Sequence, residues 1–292
     1  ENSSNGFKRL LSEVPAKSRF AMEATGEYHL NCARYLSSRG NPVAVLNPFA
    51  VKMHMQSDLR RCKNDRADAY SIAKFAAEKN TICWSCPTDD EIRLKHLDAV
   101  IDNLQKQIRQ SKNVLHSLTQ VNLGDDQAVS IIKKTISSLE TLMERARNRQ
   151  LEMVKTSRKE EIALACSIPG IGLETSLKFF THVGNIKKFD SSRSLISWIG
   201  LTPRNAQSGT SIHKNGSISR MGCTRLRGQF YMCAVVAIKY NPDCRSFYTR
   251  LKESGKPSKV ALIAVANKLL RQLYAVLTKK EAYVPNFCTK AS

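Results

Sequence analysis

The sequence predicts a mixed fold: an α/β domain, then a long two-helix arm, then a mainly helical C-terminal domain. Three observations carry it. Residues 5–86 alternate short apolar runs with helical stretches, the rhythm of layered strands and helices. From Glu91 apolar residues recur at alternating steps of three and four, the spacing of a coiled-coil seam. From about Arg158 a series of shorter helices follows. The boundaries drawn from these shifts are 1–86, 87–157 and 158–292.

In the first segment a helix is expected near Phe7 to Val14, a strand at Phe20 to Met22, a helix from Glu27 to Ser37 and a strand at Val43 to Leu46. Asn47-Pro48 opens the next helix. Another begins near Asn64, carrying Ala67, Ile72, Ala73, Phe75 and Ala76, with acids in its first turn where the helix dipole favours them. Along the arm, Leu94, Leu97, Ile101, Leu104, Ile108, Leu115 and Leu118 form one seam, with Ser111 interrupting. After the turn signal Leu123-Gly124-Asp125-Asp126 the spacing resumes with Val129, Ile132, Ile136, Leu139, Met143 and Ala146. The two helices are expected to be antiparallel, with a seam that pairs two chains rather than closing within one. Further helices are expected at 160–166, 173–183, 191–199, 223–239, 243–252 and 256–277. The polar stretch from Gly200 to Met221 is too long for an idle connection, so function is expected there.

Composition narrows the partners. In 292 residues, 46 Lys and Arg stand against 25 Asp and Glu, a formal charge of +21 spread along the whole length. A polyanion partner, most simply nucleic acid, follows; a basic protein that merely stays soluble, or sits on a ribosome, is the plainer alternative. Nine cysteines at irregular spacing read as reduced thiols of a cytoplasmic protein. Cys83 and Cys86 have zinc-ligand spacing, but no second such pair follows. No apolar run approaches the roughly 20 residues of a membrane span, so no membrane is expected. The chain opens on Glu1 rather than Met, a hint of an upstream piece.

Three constellations carry chemistry. Glu23 ends the strand-like run at Phe20 to Met22, and ligand sites gather at the C-terminal edges of strands. Asp65 and Asp68, three apart, share one face of a helical turn, and two such carboxylates repel unless a cation stands between them. With Glu23 they are candidates for an Mg2+ site serving phosphoryl transfer; caps and dipole partners are the structural alternative. Ser167-Ile168-Pro169-Gly170-Ile171-Gly172, between two short helices, looks like a helix-hairpin-helix in which Gly170 and Gly172 let backbone N–H groups approach a phosphate; a tight turn is the alternative. The third runs from Gly200 through Thr210 and Ser211, with Arg204, Lys214, Arg220, Arg225 and Arg227 as candidate DNA contacts. A serine here is a candidate nucleophile on a phosphodiester whose charge the guanidiniums neutralise. Ser208, Ser211, Ser217 and Ser219 all qualify by type.

Glu23 in EATG, the Asn47-Pro48 turn, Asp65 and Asp68 in KNDRADA, SIPGIG from Ser167 and GLTPRNAQSGTS from Gly200, in this order and around a coiled-coil arm, resemble the DEDD-type transposases of the insertion-sequence family numbered one hundred and ten. That family is similar to the Piv and MooV invertases. The resemblance implies a RuvC-like (RNase H-like) domain binding Mg2+ through four acids, with Glu23, Asp65 and Asp68 matching the second, third and fourth. It implies Ser208 as the serine joined covalently to DNA, a coiled coil that joins subunits into a dimer or tetramer, and a structured bridge RNA that specifies target and donor DNA. The first acid belongs to an opening strand upstream of EATG. The 22 residues before Glu23 hold only Glu1 and Glu13, neither in a matching strand, so the first domain is expected to lack that strand, as in a fragment or a decayed or re-used copy. Two rivals stand beside the recombinase: a junction endonuclease cutting through water, and a nucleic-acid binder without catalysis.

Overall fold

The computed structural model describes residues 1–57, 64–79, 81, 83–120, 126–208, 212–218 and 222–285, with the backbone alone at 126 and 204–217. The chain divides into two compact units, Glu1–Thr88 and Asp89–Ser292.

The first unit is three-layered. Strands β1 (Phe20–Glu23) and β2 (Val43–Leu46) pair in parallel, with Glu23 opposite Leu46, and helix α2 (Tyr28–Ser38) connects them as a parallel pair requires. Side chains alternate across the sheet. Phe20, Met22, Val43 and Val45 pack with Leu10 of α1 (Ser4–Ser12) and with Ala33 and Leu36 of α2. On the opposite face Ala21, Ala44 and Leu46 pack with Val51 of α3 (Pro48–Ser57) and with Ile72, Phe75 and Ala76 of α4 (Asp65–Glu78). Asn47 caps α3 by accepting from the Phe49 amide, and Asn64 caps α4 by accepting from the Ala67 amide.

In the second unit α5 (Asp89–Thr119) and α6 (Asp126–Cys166) pack antiparallel, and Lys112 Nζ donates to Glu140 Oε1 across them at 2.8 Å. Leu94, Ile101, Ile108 and Ile136 are buried along the seam. The seam expected to pair two chains closes here between α5 and α6 of one chain, while Val100, Val114, Ile131 and Leu142 stay exposed on the arm. The expected turn at 123–125 lies outside the described residues. Arg158 leaves helical geometry (φ −144°) and kinks α6, which sets off the short terminal helix expected from Glu160.

After the kink come α7 (Leu173–Val183), a 3-10 turn at Ile186–Lys188, α8 (Ser192–Ile199), the antiparallel hairpin β3 (Pro203–Ser208) and β4 (Ile212–Ile218), α9 (Thr224–Tyr240), α10 (Pro242–Glu253) and α11 (Ser258–Lys279). The hairpin was not expected, because polar strands without apolar alternation carry no period-2 signal. Phe179, Leu195, Ile199, Phe230, Leu269, Leu270 and Leu273 form the centre of one core. Contrary to the sequence expectation, α11 is long and apolar enough by composition to cross a membrane; it packs against α6, α8, α9 and α10, and that burial accounts for its apolar faces. All seven described cysteines are free thiols, and burial pushes the Cys244 thiol up to about 12.

Gly170 lies at φ +105°, and a Cβ there would stand 2.7 Å from the Cβ of Ala237 on α9. Its glycine is required by close helix packing, a constraint the sequence reading did not foresee. Gly170→Ala combines left-handed strain with overpacking and is expected to cost about 2–4 kcal/mol. A drop of at least about 5 °C in the melting temperature checks this.

Candidate active site and nucleic-acid interface

Chain geometry puts Glu23 and the first turn of α4 toward the same end of the sheet. Glu23 is the last residue of β1 and shares the parity of Ala21, so it stands on the face that α4 covers. Arg19, just before β1, donates to the backbone carbonyl of Thr81 and, at 3.0 Å, to its Oγ1, which puts the start of the strand beside the end of α4. Helix and strand therefore run antiparallel, and the N-terminal turn of α4 lies toward the C-terminal end of β1. From Arg19 to Glu23 the strand advances about 13 Å, and from Glu78 back to Asp68 the helix advances about 15 Å. Asp68 thus comes about level with Glu23, and Asp65 lies beyond it. Asp65 is exposed, while Glu23 and Asp68 are half-buried. Carboxylates are the right donors for a hard cation. Among the described residues, however, no three His, Cys, Asp or Glu side chains gather closely enough to hold a metal ion. The acids share an edge without closing a ligand set.

The serine candidates lie in the second unit. Ser208 is the last residue of β3, opposite Ile212 at the end of the hairpin; Ser217 is in β4, and Ser211, Ser219 and Arg220 lie outside the described residues. Arg204 sits where the pairing register slips between Pro203 and Asn205, and Lys214 pairs with Ala206.

Both feet of the hairpin are fixed on the C-terminus of α8. Gly200 takes the left-handed conformation at φ 85° and donates to the carbonyls of Ile196 and Ser197; Leu201 follows, fully buried. After the hairpin in sequence comes Gly222, where a Cβ would stand 2.6 Å from the Trp198 carbonyl oxygen and from the Ile199 carbonyl carbon. Arg227 completes the anchor, donating to the Ile199 carbonyl at 3.4 Å and to Thr224 Oγ1 at 3.0 Å. One foot therefore ends a helix, and the other lies against that helix's backbone.

Arg225 was expected at a phosphate, yet it is already engaged. Its Nη1 donates to Asp98 Oδ2 at 3.0 Å, and its Nε to Asp102 Oδ2 at 2.7 Å. His182 Nε2 lies 2.8 Å from the same Asp98 oxygen. Asp98 is completely buried on α5, so this cluster ties the arm to α7 and to the first turn of α9. Burial pushes the Asp98 carboxyl up, but His182, Lys178 and Arg225 outweigh it and hold the group below the usual carboxylate range. The sequence reading missed Asp98, His182 and Gly222. An acid one turn after Leu94, in phase with the seam, was the available signal for the first. Of the two loop glycines, Gly172 begins α7 in extended conformation with open space where a Cβ would go. It leaves the first amides of that helix approachable, as Gly170 does not.

Both halves of the chain match known transposases. Residues 162–249 match the model of the transposase IS116/IS110/IS902 family, and residues 1–122 match that of the IS110-type DEDD transposase. The chain belongs to the IS110 family of transposases. It is 30% identical over 264 residues to the pilin gene-inverting protein of Moraxella lacunata, spanning 90% of this chain and 80% of that one. The Moraxella bovis pilin gene-inverting protein is 29% identical over 97% of this chain and 88% of its own length. The transposase of element IS1111A from Coxiella burnetii is 27% identical, covering 90% and 78% respectively. The two matched segments contain Glu23, Asp65 and Asp68 in one and Ser208 in the other.

Three outcomes follow for this IS110-family chain. Asp98→Asn leaves Arg225 and His182 facing a neutral group and is expected to cost about 2–3 kcal/mol, the half-exposed Arg225 reducing the fully buried figure. Because the folded carboxyl is depressed, its contribution is full above the ordinary value of 3.8 and is lost as pH falls through the lower folded value. Melting curves of the wild type and D98N should therefore differ at neutral pH and converge in strong acid. Gly222→Ala is expected to push against the α8 backbone and to cost about 2–4 kcal/mol, read as a fall in melting temperature. Gly228→Ala, in α9 with open space at its Cβ, should instead add about 0.5–1 kcal/mol of stability.

Proposed function

We propose that this IS110-family transposase recombines DNA through a phosphoserine intermediate, with Ser208 as nucleophile and Glu23, Asp65 and Asp68 as the acidic partners. The observation that carries the reading is the hairpin that follows α8, with Ser208 the last residue of β3, entered from the buried Leu201 and followed in sequence by Gly222 packed on the α8 backbone. A nucleophile that must meet one phosphorus atom needs such a rigid mount. In the step, Ser208 Oγ loses its proton and bonds to phosphorus, a bond from phosphorus to a sugar oxygen breaks, and the departing sugar hydroxyl takes a proton. The phosphoserine diester keeps the bond energy, so a hydroxyl of another strand displaces Ser208 and reseals the DNA without water. The charge of +21 supports a phosphate backbone as partner, and the open N-terminus of α7 at Gly172 is a suitable grip for it. Glu23, Asp65 and Asp68 would hold Mg2+, which when bound stabilises charge on reacting phosphate oxygens; no step above is routed through it. A bridge RNA selecting the DNA, subunits meeting through the arm and a cytoplasmic setting complete the proposal, and they rest on the family.

The deciding experiment incubates the protein with labelled DNA, Mg2+ and RNA transcribed from the element's flanks, and resolves the products on a denaturing gel. A protein–DNA adduct is expected, abolished by Ser208→Ala while binding remains. Cut DNA with free phosphate ends and no adduct would replace this reading with hydrolysis by the acids, and binding without cutting would leave a nucleic-acid binder.

A further inference from the structure

A groove of about 570 Å³ lies between α10, α11 and the segment from Glu281 to Val284, a region the proposed chemistry does not use. Its floor is apolar, with Phe247 from α10 and Ala264 and Val276 from α11. Its rim is cationic. Arg250 and Lys268 both lie over the Phe247 ring, 5.4 and 5.3 Å from its centroid, so the ring and its two cations form one stacked wall of the groove, and Arg271 stands one turn along α11 from Lys268. None of these three cations is ion-paired with a described residue. Of the two acids lining the groove, Asp243 already accepts the Tyr283 hydroxyl at 2.6 Å, leaving Glu281 against the cations. Asn267 lies in the wall, and its Oδ1 is enclosed without a donor among the described residues.

We propose that this groove takes one unpaired nucleotide of a nucleic acid, its base on the apolar floor and its phosphates on Arg250, Lys268 and Arg271. The chemistry selects the class. A wholly apolar ligand would leave unpaired cations at the rim, and a double helix cannot offer a base to a recess of this kind without extruding it. An unstacked nucleotide supplies a flat apolar face and a fixed anion together, and guanidinium and aromatic groups are its usual platform. The inference rests on nucleic acid being the partner and adds a position where it is bound by base as well as by charge.

Fluorescence anisotropy tests it with three probes: a plain duplex, the duplex with one bulged nucleotide, and the same bulge lacking its base. The wild-type chain is expected to bind the bulge about tenfold more tightly than the abasic bulge, the ratio one base stack supports. Ala275→Trp, which fills the groove from an exposed position on α11, should remove that preference and leave plain-duplex affinity unchanged. Arg271→Ala, also at an exposed position, should weaken bulge binding several-fold with an unchanged melting curve. Equal affinity for the two bulges, or a preference that survives Ala275→Trp, would overturn the groove while leaving duplex binding in place. Failure to bind any probe at low salt would instead remove nucleic acid as the partner. Ribose and deoxyribose versions of the bulge tell which strand type supplies the nucleotide.

Discussion

Asp98 is the interaction on which the second unit depends. A carboxylate removed from water costs several kcal/mol unless cations and donors replace the solvent, and here His182 of α7 and Arg225 of α9 do so from two different helices. The arm cannot shift along α7 or α9 without exposing or unpairing that charge. Arg225 reaches Asp98 from the first turn of α9, three residues after Gly222, where the hairpin returns. The same cluster that fixes the arm therefore also fixes the start of α9.

The hairpin shows how a polar segment is held without a core of its own. Its strands pair with each other, while the surrounding residues supply the hold: Leu201 buried beneath it, Gly200 ending α8, Gly222 against the α8 backbone and Arg227 on the Ile199 carbonyl. The acids of the first unit are positioned by different means. Strand parity puts Glu23 on the α4 face, and the antiparallel run of α4 brings its first turn to the same end of the sheet. Asn64 caps that turn and needs no ligand to do so, which is why Asp65 and Asp68 stand in regular helix while the ligand set stays open.

Much of the architecture was legible in local pattern. Strand β2 and helix α7 fall at the expected residues, and the others begin within a few residues of expectation, because apolar period, Asn and Ser caps and terminal glycines are short-range signals. The seam from Leu94 to Ala146 was legible as a seam, and the packing of α5 on α6 gives it a partner within the chain, which spacing alone did not name. Glu23, Asp65, Asp68 and the polar stretch around Ser208 stood out by residue type and order, whereas β3 and β4 did not stand out as strands.

What the amino-acid sequence determined by itself was therefore periodic or additive: the helices, the two parallel strands, the cationic balance and the family to which the motifs belong. What tertiary structure alone decided was which remote residues meet. Asp98 and Arg225 are 127 positions apart, Gly170 meets Ala237 and Gly222 meets α8, and the groove of Phe247 exists only where α10, α11 and residues 281–284 come together. Periodicity reports which face of an element avoids water, and that is a local property of the chain. The partner of that face is chosen by the packing of the whole unit, where volume, charge and hydrogen bonds must be satisfied at once.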